Sequence, residues 1–69
     1  MENRYEEAMR ILLNERAVDC SLSYWARRID MTTLLEITKM IREINGLQGF
    51  DGRRSTMIAA LQLIMENHA

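Results

Sequence analysis

Proline is absent from this chain, and its only three glycines, Gly46, Gly49 and Gly52, share one seven-residue stretch. Without proline or scattered glycine, the turn-rich chemistry of an all-β sandwich is missing, and long helices are favoured. Cysteine is limited to Cys20 and histidine to His68. One thiol cannot close an internal disulfide, and one Cys with one His cannot build a zinc site, so neither metal nor cofactor is expected. The longest apolar run falls far short of the ~20 residues of a membrane span, so no membrane partner is expected. The opening MENRYEEAMR has no apolar segment of the kind a secretory signal needs. With a single free thiol, this predicts a cytoplasmic protein. Charge excess is missing too: the net charge is −1, unlike the strongly basic signature of a dedicated nucleic-acid binder.

What remains is a 69-residue chain, 48% hydrophobic and 28% charged, long enough for a single helical domain over 1–69. A domain of this size buries roughly 60% of its unfolded surface, which leaves a marginal core. With no disulfide or metal, a second subunit is the remaining support, and a homodimer is expected. The charge is uneven, −2 over residues 1–20 and +2 over residues 21–54. A local basic patch is therefore available.

Helical periodicity predicts four short helices and an all-α fold. Over 3–16, Tyr5, Ala8, Met9, Leu12 and Leu13 form one stripe, with Glu6, Glu7, Arg10 and Asn14 opposite. Asp19, Cys20 and Ser21 supply N-cap chemistry for a second segment at 22–29, striped by Leu22, Trp25, Ala26 and Ile29. Thr33 and Glu36 have capping-box spacing for a third helix at about 34–45, with Leu34, Ile37, Ile41 and Ile44 inward. Gly46 suits the left-handed position that ends it. The loop 46–52 carries Leu47 and Phe50 as apolar plugs, and Asp51 or Ser55 is placed to cap a last helix at about 53–67.

That last helix is apolar past half its circumference: Met57, Ile58, Leu61, Ile64 and Met65 make one face, widened by Ala60 and Leu63. A helix with one buried face needs a stripe of only ~100° or slightly more. The excess predicts a dimer interface on Met57, Ile58, Leu61, Ile64 and Met65. The alternative is a central helix wrapped by the other three.

No catalytic group is expected. His68 stands next to the C-terminal residue, and Cys20 reads as a half-buried filler. The glycines match no phosphate-binding motif.

Residues 21–43 read as helix, short turn, helix. Ser21, Leu22, Ala26, Met31 and Thr32 resemble the pattern of small prokaryotic helix-turn-helix antitoxins and repressors, with Asp30 where that family prefers glycine and Trp25 in place of a small residue. The resemblance implies a DNA-binding regulatory homodimer whose second helix enters the major groove. Thr32, Thr33 and Glu36 would then read base edges. Arg27, Arg28, Lys39, Arg42, Arg53 and Arg54 would touch phosphates. Residues 28–65 also resemble ribbon-helix-helix repressors, through Arg53, Arg54, Ser55 and the helix that follows. There 28–32 would be the ribbon, with Arg28, Asp30 and Thr32 facing the groove. The competing class is a helical interaction module, a small subunit, adaptor or inhibitor with a protein partner. The six methionines suit adaptable contacts.

Overall fold

A computed structural model describes residues 3–46 and 50–68. Leu47 and Gly49 lie outside the described residues. The described residues form four helices and no strand: α1 (Arg4–Asn14), α2 (Leu22–Ala26), α3 (Met31–Asn45) and α4 (Arg54–Asn67).

The stripes expected from the sequence close on one another in part: Leu13, Leu22 and Ile44, each expected to face inward, are exposed because they lie at stripe edges or helix ends that no other helix covers. Tyr5, Ala8 and Leu12 of α1, Trp25 of α2, Leu34, Ile37 and Ile41 of α3, and Met57, Ala60, Leu61 and Ile64 of α4 make one buried core, joined by Ile29. The pairing of α3 with α4 is the most extensive, and α1 lies along α4. The α1 and α4 helices run antiparallel: the Arg54 guanidinium donates to the Leu12 carbonyl (3.1 Å), and the Tyr5 ring meets the His68 ring at 5.3 Å. The α4 helix thus packs against α1 and α3 but does not meet α2, whereas α3 meets all three other helices, so α4 is not a helix wrapped by the other three.

Several boundaries move, each for a visible reason. The α1 helix ends at Asn14 because Glu15 turns extended and its carboxylate takes up the backbone N–H groups of Arg16 (3.0 Å) and Ala17 (3.2 Å) and the Tyr24 hydroxyl (2.6 Å). Ser21 caps α2 by accepting from Tyr24 N–H (3.3 Å). The α2 helix stops at Ala26, and the chain leaves in a turn in which the Arg28 and Ile29 N–H groups both donate to the Trp25 carbonyl.

The α3 helix begins at Met31, three residues before the capping-box reading. Asp30 is the cap, accepting from the backbone N–H of Thr33 (3.2 Å) and from its hydroxyl (3.3 Å). Met31 and Thr32 are therefore helical, and residues 28–32 do not form the ribbon that the second resemblance requires. Gly46 ends α3 at φ 75°, as its type predicts.

The start of α4 departs most from expectation. Arg53 occupies its N-cap without any side-chain cap. Asp51 instead accepts from the Arg53 backbone N–H (3.0 Å) and the Thr56 hydroxyl (3.2 Å). The helix start is held by backbone: Arg54 N–H donates to the Val18 carbonyl (3.0 Å), Cys20 N–H donates to the Gly52 carbonyl (3.3 Å), and Asp19 and Arg53 form an isolated antiparallel bridge. The same Gly52 carbonyl accepts from the Trp25 indole N–H (2.9 Å). A Cβ on Gly52 would lie 1.7 Å from the Cys20 carbonyl oxygen, so only glycine permits this crossing.

Candidate docking surface

The residues expected to meet DNA divide into those consumed by the fold and those left on its surface. Thr33 is fully buried; it is bonded to Asp30, and its hydroxyl also accepts from the Arg4 guanidinium (3.1 Å). Glu36 accepts from the Tyr5 hydroxyl (2.7 Å) and is ion-paired with Arg4. Burial alone would raise the Glu36 carboxyl, but hydrogen bonds from Tyr5 and Arg4 outweigh it and hold the group below its ordinary value. Two of the three expected base readers, Thr33 and Glu36, are therefore covered by α1, whose first turn lies across this part of α3. A side chain locked in that network cannot reach a base edge without breaking it.

The basic set divides in the same way. Arg28 pairs with Glu15 (3.1 Å) and stacks over the Tyr24 ring (3.8 Å). Arg53 pairs with Asp51 (2.8 Å), and this contact and the Arg53 backbone N–H pull the Asp51 carboxyl down to about 2. Arg54 is taken up by the Leu12 carbonyl. Arg27, Lys39 and Arg42 are exposed, as is Thr32, and Arg28 and Arg53 are exposed too, though held in ion pairs. Thr32, Lys39 and Arg42 share one face of α3, because their spacings of seven and three keep them within about 80° on a helix of 3.6 residues per turn.

The five residues expected at a dimer seam are also redistributed. Met57 and Leu61 are fully buried within the single chain and Ile64 nearly so, all three against α1 and α3. Ile58 and Met65 sit half-buried at the margin of the core. An intermolecular role for Met57, Leu61 and Ile64 would require opening this core. The correction has a simple cause: periodicity identifies an apolar face but not which element covers it.

Apolar side chains are exposed at several places, Val18, Leu22, Met31, Leu35 and Ile44 among them, and the exposed pair Leu13 and Leu63 lines a groove between α1 and α4. Met9, Leu13, Ala59, Gln62, Leu63, Met65 and Glu66 line an open groove of about 810 Å³. Leu13 is 61% exposed and Leu63 is 40% exposed, although both belong to well-formed helices. Of these residues, only Met65 was picked out from the sequence as an interface position. The available signal was Leu13 at the edge of the α1 stripe and Leu63 beyond half the circumference of α4. A smaller recess of about 290 Å³ between α3 and the end of α4 is lined by Glu36, Lys39, Met40, Glu43, Ile64, Asn67 and His68. His68 is docked there rather than frayed, with Nε2 3.5 Å from the Tyr5 hydroxyl.

Among the described residues no cluster of His, Cys, Asp and Glu is arranged to hold a metal ion, and no helix is long and apolar enough to cross a membrane. Comparison with protein-family models, with curated proteins and with solved structures gives no match.

Proposed function

We propose that this chain is a helical protein-interaction module that docks a helix of its partner in the groove between α1 and α4. The observation that carries the reading is the exposure of Leu13 of α1 and Leu63 of α4 in the lining of one mainly apolar groove. Single exposed apolar residues are ordinary on a soluble protein, but contiguous ones lining a concavity mark contact sites. An amphipathic helix laid into such a groove anchors through residues at i, i+3, i+4 and i+7. Met9 and Met65 on the walls suit this, since the flexible thioether side chain refills irregular gaps.

The test is an NMR titration of the full chain with a synthetic amphipathic helical peptide, leucine on one face and Lys/Glu on the other. Shifts confined to Met9, Leu13, Ala59, Leu63 and Met65, and abolished in Leu13→Glu, are expected. A peptide that moves none of these signals, together with spectra that do not change with protein concentration, overturns the reading.

A DNA-binding regulatory role, of repressor or antitoxin type, is the second reading. It is favoured by the exposed face of α3 carrying Thr32, Lys39 and Arg42, with Arg27 exposed beyond the end of α2. Glu43 on the same face and the net charge of −1 weigh against it. Duplex binding at two salt concentrations separates the readings. Phosphate contacts by Lys39 and Arg42 would make Lys39→Ala/Arg42→Ala lower the salt slope by up to about two.

A further inference from the structure

We infer that the helix docked on this groove is α4 of a second copy of the chain, packed antiparallel across a twofold axis. The inference rests on the interaction-module reading and names its partner. It differs from the seam expected from periodicity, because it uses the outer face of α4 and leaves Met57, Leu61 and Ile64 in the core.

The outer face of α4 is a stripe of exposed residues, Ser55, Ala59, Gln62 and Glu66, separated by four, three and four positions. This spacing keeps one line of contact along two helices packed side by side. Leu63 and Met65 flank the stripe, and Met9 and Leu13 of α1 continue the apolar surface on one side.

The stripe is complementary to itself only when reversed. With the axis between residues 60 and 61, Ser55 faces the second copy's Glu66, and Ala59 faces its Gln62. A small residue meets a long one at the centre, and a hydroxyl donor meets a carboxylate at each end. A twofold contact of this kind uses the same patch on both subunits.

The charges require the same direction. Glu66 lies in the last turn of α4, where the negative end of the helix dipole disfavours an acid, and that turn holds no basic residue. The first turn of α4 is the complementary end: it is positive and has no side-chain cap. Antiparallel pairing brings each Glu66 to the other helix's positive end. Parallel pairing would set Glu66 beside Glu66.

The experiment is sedimentation of the full chain over a range of concentrations, with three variants. The unmodified chain is expected to dimerise. Leu63→Glu should raise the dimer Kd about tenfold or more while keeping its helical circular dichroism, since Leu63 is outside the core. Glu66→Lys should also weaken the dimer, and Ser55→Glu/Glu66→Lys should restore it, because the carboxylate introduced at position 55 then faces the ammonium at position 66 of the second copy. Restoration by the double variant supports this register specifically. A chain that stays monomeric overturns the second copy as partner; the interaction-module reading then survives if the synthetic peptide still shifts Leu13 and Leu63, and falls if it does not. A dimer indifferent to Leu63→Glu and to Glu66→Lys also overturns the inference, because its seam is elsewhere.

Discussion

The α3 and α4 helices are nearly equal in length and pack against each other more extensively than any other pair, yet they are completed in different ways. The α3 helix buries Leu34, Ile37, Thr38 and Ile41 and turns Thr32, Lys39, Arg42 and Glu43 to solvent, together with Met31, Leu35 and Ile44. Its start is capped by the Asp30 side chain. The α4 helix buries Met57, Ala60, Leu61 and Ile64 but turns Ala59, Gln62 and Leu63 outward. Its start depends on backbone pairing with residues 18–20. The α3 helix takes its cap from the adjoining residue, although Arg4 and Tyr5 of α1 also close over its first turns. The α4 helix, whose start is held by a remote segment, depends on distant residues for its placement.

The largest test of this contrast places the same charge on each helix. Leu61→Asp should unfold the chain, because an unpaired carboxylate in the core costs several kcal/mol and a small domain has little more than that to lose. Leu35→Asp should change stability by no more than about 0.5 kcal/mol, as expected of an exposed position. Thermal unfolding followed by circular dichroism reads both. If Leu61→Asp stays folded, the inner face of α4 is not part of the core that holds the four helices together.

The next test addresses the start of α4. Gly52→Ala should destabilise by about 3 kcal/mol or more, because the new methyl group meets the Cys20 carbonyl and forces the crossing apart. The same shift removes the acceptor of the Trp25 indole, so tryptophan fluorescence should move with the stability loss. An unchanged melting temperature would show that the bridge does not hold α4.

The smallest expected effect is in acid. Asp51, in the turn before α4, has its carboxyl lowered to about 2, chiefly by hydrogen bonds from the Arg53 side chain and backbone. A carboxyl with a folded value below its unfolded one stabilises the fold above the unfolded value and loses that contribution as pH falls through the folded value. Stability from this turn should therefore be complete above about pH 4 and fade toward pH 2. Asp51→Asn should flatten that part of the stability profile, measured by urea unfolding across the range. Identical profiles would remove Asp51 from the forces that hold this turn.

The helical class, the four elements and most inward residues were legible in the sequence because they follow from local periodicity and the absence of proline. Tyr5, Leu12, Trp25, Leu34, Ile37 and Leu61 all lie where a 3.6-residue repeat puts them. The candidate site was legible only in part. Of the five residues expected at an interface, Met65 lies on the groove wall while Met57, Leu61 and Ile64 lie in the core, because periodicity marks one apolar face and not the part of it that the same chain covers. Thr33 and Glu36 were read as presented, although α1 covers them through Arg4 and Tyr5 from about thirty positions away.

The sequence by itself therefore determined which segments are helical and which face of each is apolar, since both depend on neighbours within a turn or two. Only the tertiary structure decided what each face meets. Gly52 admits Cys20 and Trp25 to the start of α4, Arg4 and Tyr5 close over the first turns of α3, and α4 is clasped on its inner side alone. The reason is physical. Periodicity is a property of one helix, whereas burial depends on which other helix arrives, and that depends on contacts between residues far apart in the chain.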